Sequence, residues 1–364
     1  MIIKEVIDIL ENLAPLAYAE DFDNVGLLVG NANTKVSGIL VTLDTLENVV
    51  DEAILYKCNL IVSFHPIIFG GLKKITGSSY VERVVIKAIQ NNIAIYSMHT
   101  ALDNCKNGVN AKICEVLGIE NTKILIPQKG TIKKLTTYVP IADADALKTS
   151  LFRAGAGNMG NYSNCSFTSE GTGSYKAESN AKPTKGKIGQ THYEKEIQLN
   201  ITYPKSKEKE IVSSLFENHP YEEVAYEIFT LENTDQNIGM GMIGTLKKPI
   251  DGLAFLKHIK KKMKAEGIRH SGLLGRPVKK IAVLGGSGAF AIKASKASGA
   301  DVFITADVKY HQFYEAESSM IIADIGHYET EQFTKNLLVD YLTKKIPNFA
   351  VRLSESETNS IKYL

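Results

Sequence analysis

The sequence predicts an α/β protein made of two similar halves, with a smaller α+β domain inserted between them. In each half, short runs of apolar, β-branched residues alternate with segments of helical periodicity. The middle of the chain instead carries alternating half-polar strands and a long segment rich in Gly, Ser and Asn. With 364 residues, 44% of them hydrophobic, the chain is long enough for more than one domain.

The first half predicts a parallel sheet. After an N-terminal helix at about 3–13, apolar runs occupy 38–44, 60–65 and 93–99, with helical patterns between them. Strands that are linked through helices form right-handed βαβ units, and both faces of such a sheet are buried.

The second half repeats this order. Apolar runs at 280–286, 302–307 and 320–327 predict three strands, and a further strand is predicted at 348–355. The similarity between the two halves predicts that 1–128 and 236–364 form one discontinuous α/β body.

The insert, 129–235, predicts a ferredoxin-like βαββαβ sandwich, because its strands and helices follow one another in that order. It also contains the polar segment 155–189. This segment is compatible with a flexible linker, but loops of that length inside a compact domain are usually functional or disordered. Both interpretations stay open from the sequence alone.

Composition excludes two classes of partner. Lys+Arg 42 against Asp+Glu 40 gives a net charge of +2, and the basic stretch 257–264 is interpreted as the exposed face of a helix, so no nucleic acid is expected to bind. No apolar run approaches the ~20 residues of a membrane span, so no membrane is expected either. The charged N-terminus is unlike a signal peptide, and four cysteines without CxxC spacing predict reduced, buried thiols in a cytoplasmic protein.

Three histidines end predicted strands, and two of them are followed by a carboxylate. Asp103 comes four residues after His99, Glu331 comes four residues after His327, and His65 ends the strand at 60–65. Because the carboxyl ends of parallel strands meet at one edge of a sheet, we expect these five side chains in one cleft. Imidazole nitrogens and carboxylate oxygens suit Zn, Fe, Mn or Co, and carboxylates can bridge two ions.

Other interpretations compete with this metal site. A single histidine at a strand end is usually a capping or hydrogen-bonding residue, and only the combination favours a metal. Asp44 and Asp307 also end strands, and they either orient the ligands or cap helices. For Asp44 the helix-cap interpretation is preferred. Gly286, Gly288 and Ala291 form a G-x-G-x-x-A pattern that could hold a dinucleotide or a phosphate, with Asp307 as its acid, or only a tight turn.

The sequence resembles the dinuclear-metal family of GTP cyclohydrolase I type 2 homologues, also called the Nif-three-like family. The insert resembles the PII/CutA-like domain of the longer bacterial members, through residues 218–233. The resemblance of the body is carried by six segments in both halves: 19–30, 63–75, 98–104, 283–290, 306–312 and 325–331.

This resemblance implies a set of ligands for two divalent metal ions. The implied ligands are His65, Asp103, His327 and Glu331, with His99 as an additional ligand or a catalytic, proton-handling neighbour. Many bacterial members have two consecutive histidines where this chain has Phe64 and His65. Two interpretations stay open. Either one nitrogen ligand is missing here, and the second ion would be weakly held or completed by His99 or water, or the site is kept, since the resemblance also covers members with an aromatic residue at this position.

The resemblance also implies a function and an assembly. It implies a metal-dependent hydrolase in which metal-activated water attacks a nucleotide-like substrate, with formate released if that substrate is GTP. Lys73, Lys74 and Lys309 could contact a triphosphate or other small phosphorylated ligand, or belong to the solvated surface. The implied assembly is a ring-shaped, toroidal homohexamer. Because fold does not fix function, the alternative is a non-catalytic assembly that binds, delivers or senses a metal, with the insert as its regulatory unit.

Overall fold

A computed structural model describes all residues, Met1–Leu364, and divides them into two compact units. The first unit, called the body, consists of Met1–Pro127 together with Gln236–Leu364. The second unit, called the insert, is Gln128–Asp235. Both parallel and antiparallel sheets are present, which confirms the predicted mixed α/β architecture.

The regular elements are numbered in chain order. The helices are α1 (Ile3–Leu13), α2 (Glu47–Leu55), α3 (Tyr80–Gln90), α4 (His99–Asp103), α5 (Val109–Leu117), α6 (Ala144–Arg153), α7 (Glu208–Asn218), α8 (Gly252–Lys262), α9 (Ile292–Ala297), α10 (His327–Glu331) and α11 (Thr334–Lys345). The strands are β1 (Gly26–Val29), β2 (Ile39–Thr42), β3 (Leu60–Ser63), β4 (Ala94–Ser97), β5 (Ile119–Pro127), β6 (Ile132–Pro140), β7 (Phe167–Lys176), β8 (Thr191–Pro204), β9 (Tyr226–Thr230), β10 (Gly239–Ile250), β11 (Arg269–His270), β12 (Val278–Ser287), β13 (Val302–Ala306), β14 (Ile321–Asp324) and β15 (Val351–Leu353).

The first sheet of the body has the strand order β1-β4-β3-β2-β15. Its three central strands pair in parallel, so that Thr42 lies beside Ser63 and Ser63 beside Ser97 at their carboxyl ends. The last strand of the chain, β15, returns to this first sheet and pairs in parallel with β2. The two ends of the sequence are therefore joined in one sheet.

The second sheet has the order β11-β14-β13-β12-β10-β5, and β12, β13 and β14 are parallel. The long antiparallel pair β5 and β10 extends it, and neither strand is predicted from the sequence. Glycines in β10 weaken the side-chain pattern by which a strand is predicted from sequence. They also allow the backbone of β10 to approach that of β5 closely, since a Cβ on Gly244 would stand 2.6 Å from the carbonyl oxygen of Glu120.

One apolar core joins the two sheets of the body. Inward-facing residues of both sheets, such as Val62 and Val302, belong to the same buried cluster as residues of α1, α5, α8 and α11. In α1, Val6 and Leu10 are fully buried, and each buried side chain of this kind contributes roughly 1.5–3 kcal/mol. This shared core fixes the carboxyl ends of the parallel strands of both sheets relative to each other.

The insert is a four-stranded antiparallel sheet of order β7-β8-β6-β9, with α6 and α7 packed on one face. Leu199 and Ile201 of β8 pack against Leu151 of α6 and Leu215 of α7 in its buried core. The polar segment 155–189 contains β7, which pairs with β8 over its whole length. That part of the segment is therefore a strand of the sheet and not a linker.

Two features of composition can be checked directly. The lysines of α8 are exposed while Phe255 and Ile259 are buried, which confirms the exposed-face interpretation. All four cysteines are free, but Cys165 is half-exposed, so the expectation that every thiol is buried is wrong for that residue. None of the helices combines the length and the apolar character that crossing a membrane requires.

Candidate metal site

The two sheets of the body bring His65, His327 and Glu331 together. His65 follows the end of β3 by two residues, and His327 and Glu331 are the first and last residues of α10, which follows β14. The Glu331 Oε2 atom lies 3.0 Å from His65 Nε2 and 3.2 Å from His327 Nε2. One ligand atom from each residue lies within 4.8 Å of the others, so this group could hold a metal ion.

The Glu331 carboxylate has an unsatisfied oxygen at this point. Its Oε2 is shielded from solvent, and although both imidazole nitrogens are close, neither makes a hydrogen bond of acceptable geometry to it. A buried carboxylate oxygen without a partner is costly. A divalent cation between the two nitrogens and this oxygen would satisfy all three atoms.

Each of the two imidazoles is held by a carboxylate on its other side. The His65 Nδ1 atom lies 2.7 Å from Asp44 Oδ1, and the His327 Nδ1 atom lies 2.7 Å from Asp307 Oδ2. When Nδ1–H donates to a carboxylate, the lone pair of Nε2 is left free for a metal. Asp307 adopts a φ of +55° directly after β13, a left-handed conformation that Asp tolerates better than most residues.

The preferred interpretation of Asp44 as a helix cap is wrong. Helix α2 begins at Glu47, and the residue before it, Leu46, makes no side-chain cap. Asp44 instead contacts His65 and accepts a hydrogen bond from Thr358 Oγ1 at 2.8 Å. Its position is that of a residue that orients a ligand.

Asp103, at the end of α4, has an orphaned oxygen. Although the residue as a whole is half-buried, its Oδ1 is shielded from solvent and has no hydrogen-bond donor. Burial, followed by the negative charge of Glu331, raises the pKa of Asp103 well above its ordinary value. Asp103 is not one of the three groups whose ligand atoms lie within 4.8 Å, but it shares their electrostatic environment.

The charges within the group shift its pKa values strongly. Burial opposes the ionisation of Glu331, but contacts with His327 and His65 outweigh burial and bring its pKa to about 2. Burial also lowers the pKa of the two imidazoles, but their carboxylate neighbours raise it to about 10 for His65 and about 9 for His327. A metal ion would have to displace these protons.

His99 lies beside this group and not within it. The centres of the His99 and His65 rings are 5.3 Å apart, and His99 Nδ1 lies 2.8 Å from Asp23 Oδ1. Burial raises the pKa of Asp23, but hydrogen bonds from His99 and Thr100 outweigh burial and hold the pKa below its ordinary value. Asp23 is not predicted from the sequence as a site residue, because no spacing connects it with a histidine 76 residues later.

Phe64 precedes His65, at the position where the resemblance implies a histidine in many family members. Its side chain is fully buried, and its ring centre lies 4.9 Å from that of His65 and 5.6 Å from that of His99. Phe64 therefore supports both imidazoles by packing and supplies no ligand atom.

The glycine-rich turn forms part of this site. Gly286 has a φ of +66°, and a Cβ added there would collide with Glu331 Oε1. Its N–H donates to Thr330 Oγ1 at 2.9 Å. Asp307, the acid of the dinucleotide interpretation, is engaged with His327 instead. The glycine thus allows the strand to approach the carboxylate closely, and the dinucleotide interpretation loses its acidic residue.

A mixed α/β fold with a His/His/Glu group, at the carboxyl ends of parallel strands from two sheets, defines a class of candidate metal-binding proteins. The chain belongs to the Duf34/NIF3 (NGG1p interacting factor 3) family, which matches residues 1–360. This membership confirms the resemblance that the sequence motifs carry.

Several known proteins are similar over the full length. A Bacillus subtilis protein named GTP cyclohydrolase 1 type 2 homolog is 38% identical over 367 residues, covering 99% of this chain and 98% of its own length. A Staphylococcus epidermidis protein of the same name is 36% identical over 369 residues, covering 100% of both chains. The crystal structure of a Bacillus cereus protein related to NIF3 has a TM-score of 0.84 and 35% identity, covering 100% of this chain and 99% of that chain.

Proposed function

We propose that this protein binds two divalent metal ions in the cytoplasm and acts as a metal-dependent hydrolase on a nucleotide-like substrate. The observation that carries the proposal is the convergence of His65 Nε2, His327 Nε2 and Glu331 Oε2. The unpaired Oδ1 of Asp103 supports it, because a bound cation would stabilise the negative charge of a buried oxygen that lies near another carboxylate.

His65, His327, Glu331 and Asp103 would hold the ions. The Glu331 Oε2 atom lies within 3.2 Å of both imidazole nitrogens, so these three residues could hold one ion together. Zn, Fe, Mn or Co would suit these donors. A bound ion of this kind supplies Lewis acidity and lowers the pKa of a coordinated water towards neutrality.

The remaining polar residues would orient ligands and handle a proton. Asp44 and Asp307 hold the Nδ1 atoms of His65 and His327, which directs their Nε2 atoms to the site. Asp23 holds the Nδ1 of His99 in the same way. The Nε2 of His99 is then free to accept a proton from a reacting group beside His65, which suits general-base catalysis.

The substrate class comes from the relatives' names. Proteins named GTP cyclohydrolase 1 type 2 homolog cover the whole chain, which makes GTP the first nucleotide to test. Lys73, Lys74 and Lys309 are exposed and their ammonium groups make no ion pairs, so they are free to contact phosphate groups.

The decisive experiment measures formate. Protein loaded separately with Zn, Fe, Mn or Co is incubated with GTP, and His327→Ala and Glu331→Ala serve as site variants. The exposed His270 provides the matched control, His270→Ala. Formate from the wild type and His270→Ala, but not from the site variants, supports the cyclohydrolase proposal. Equal formate from all four proteins contradicts it, as does none from any of them.

A second function, metal binding without catalysis, is favoured by the independent insert. The insert forms a compact unit with its own sheet order, β7-β8-β6-β9, which suits a PII/CutA-like regulatory domain. Elemental analysis combined with turnover assays on a panel of nucleotides and phosphoesters separates the two functions. Stoichiometric metal with no turnover on any substrate supports delivery or sensing of a metal.

We also propose that the protein assembles with itself into a toroidal homohexamer. This proposal rests on the family resemblance of the sequence alone. Light scattering after size-exclusion chromatography tests it, since a mass of six chains is expected and a monomeric mass would contradict it.

A further inference from the structure

The insert contains a cavity of about 700 Å³. It lies on the sheet face opposite the helices, because Leu199 and Ile201 of β8 point into the helical core whereas Glu196 and Gln198 line the cavity. The cavity belongs entirely to the insert and is separate from the metal site of the body.

Two loop segments border the cavity above the sheet. The backbone N–H of Lys182 donates to Glu222 Oε1 at 2.7 Å, and Thr184 Oγ1 donates to the carbonyl oxygen of Pro220 at 2.9 Å. The Tyr175 hydroxyl donates to the carbonyl oxygen of Lys185 at 2.8 Å. The first two bonds connect the loop after β7 with the loop after α7, and the third connects the loop after β7 with β7 itself, so the cavity is a built feature of the insert.

A buried carboxylate faces this cavity. The Glu196 side chain is on β8, and the residue is only 7% exposed. Its Oε1 accepts a hydrogen bond from the Tyr221 hydroxyl at 2.8 Å, while its Oε2 makes no hydrogen bond. A Cβ added to Gly173 would collide with that Oε2, so the glycine leaves the space that the carboxylate occupies. The result is a carboxylate more than nine-tenths buried with an unpartnered oxygen at the cavity wall.

Two aromatic rings stand next to this carboxylate. The rings of Tyr175 and Tyr221 have centres 6.0 Å apart and planes inclined at 65°, which forms a corner. Burial, followed by the Glu196 carboxylate, raises the pKa of Tyr221, so its hydroxyl stays protonated as a donor. Ring faces beside a carboxylate attract cations.

The charged residues of the lining are mainly acidic, and the others are apolar or uncharged. Lys176 is the single basic residue among the lining residues. Three alanines and a proline add apolar surface beside uncharged polar residues such as Thr172 and Gln198, and this surface suits the apolar part of a ligand. The acidic lining residues are Glu170, Glu178, Glu196, Glu222 and Glu223.

We propose that this cavity binds a small organic cation, with its ammonium group at Glu196 Oε2 and against the rings of Tyr175 and Tyr221. The alkyl or aryl part of the ligand packs on the apolar wall. A volume of about 700 Å³ is in the range of small-molecule sites. Anions such as nucleotides are excluded because five lining carboxylates face one lysine. The site goes beyond the proposed metal chemistry and does not depend on it.

Calorimetric titration of the full chain tests the proposal. The probes are 1,5-diaminopentane and 2-phenylethylamine, and 1,5-pentanediol is the uncharged comparison. Binding of at least one amine is expected, with no heat from the diol, and added salt should weaken it. Equal binding of the diol and the amines, or no binding of either amine at millimolar concentration, overturns the proposal.

Variants then localise the binding. Glu196→Gln keeps an oxygen for the Tyr221 hydroxyl but removes the charge, and it should weaken amine binding about tenfold or more. Tyr175→Leu should weaken binding through the lost ring. Glu227→Gln changes an exposed carboxylate of the same insert outside the cavity and should have no effect. Circular dichroism checks that each variant is folded, and unchanged affinity in folded Glu196→Gln overturns the assignment.

Discussion

Thr358 donates a hydrogen bond to Asp44 Oδ2 at 2.8 Å, although the two residues are 314 positions apart in the sequence. The other oxygen of Asp44, Oδ1, lies 2.7 Å from His65 Nδ1. The C-terminal segment after β15 therefore reaches the candidate metal site through one carboxylate. This chain of contacts can be tested without substituting a proposed metal ligand.

We predict that Thr358→Val lowers metal affinity several-fold, because Asp44 loses a donor that fixes its orientation towards His65. Competition with a chromophoric chelator measures the change. Thr358→Ser keeps the hydroxyl and is the matched control. Equal affinities of the valine and serine variants would show that the contact has no influence on the site.

The carboxylates behind the imidazoles should matter more. Asp44→Asn and Asp307→Asn each replace a charged acceptor at a histidine Nδ1 with a neutral amide, and we expect losses of ~10–100-fold in metal affinity. Asp21→Asn alters an exposed carboxylate and should leave the affinity unchanged. A loss in Asp21→Asn as large as in the other two would point to a general effect of charge.

The glycine of the turn after β12 provides a steric test. Gly286→Ala places a methyl group against Glu331 Oε1 and forces alanine into a φ of +66°. We expect a clear loss of bound metal by elemental analysis and a lower melting temperature. Gly272→Ala is the control, since nothing lies within 4 Å of its added Cβ. Full metal content in Gly286→Ala would argue against Glu331 as a ligand.

Local sequence pattern explains what could be predicted. Runs such as Leu60–Ser63 and Ile321–Asp324 are buried along their whole length and mainly apolar, which is typical of a parallel strand covered on both faces. The histidine after each strand then lies at a common edge. The structure brings His65, His327 and Glu331 together as this argument predicts.

The parts that could not be predicted depend on tertiary contacts. The pairing of Asp23 with His99 joins residues 76 positions apart, and no local period records it. Strand β10 carries glycines where its backbone approaches β5, and glycine removes the side-chain pattern that identifies a strand. The cap interpretation of Asp44 failed because the nearby His65 contacts its Oδ1 and the distant Thr358 donates to its Oδ2.

Metal binding should depend on pH in a defined direction. In the metal-free protein, neighbouring carboxylates raise the pKa of His65 to about 10 and that of His327 to about 9, against the lowering effect of burial. A metal must displace those protons. As the pH rises from 7 to 10, the metal affinity should therefore rise, and the number of protons released on metal binding should fall. Calorimetry in buffers of different ionisation enthalpy measures the protons released. No proton release at pH 7 would contradict the prediction.

The same shifts predict the stability of the metal-free protein. A raised histidine pKa contributes stability that is complete below the unfolded value of ~6.5 and is lost as the pH rises through the folded value. For His65 and His327 that window extends to about pH 9–10. After treatment with a chelator, the melting temperature of the wild type should therefore fall further between pH 7 and pH 10 than that of His65→Asn. Identical losses would mean that these protons do not stabilise the fold.

Phe64 offers a test of the second ion. Its ring is fully buried against the rings of His65 and His99, at the position where the family resemblance implies a second histidine in many members. We predict that Phe64→His raises the affinity for a second ion, since an imidazole there adds a nitrogen donor, while the buried polar ring lowers the stability of the metal-free form. Elemental analysis across a metal titration measures the occupancy. Phe64→Leu removes the ring without adding a donor, at a cost below the ~3–5 kcal/mol of a Phe→Ala change, and should not raise the occupancy. If both variants bind the same amount of metal as the wild type, binding of the second ion does not depend on this position.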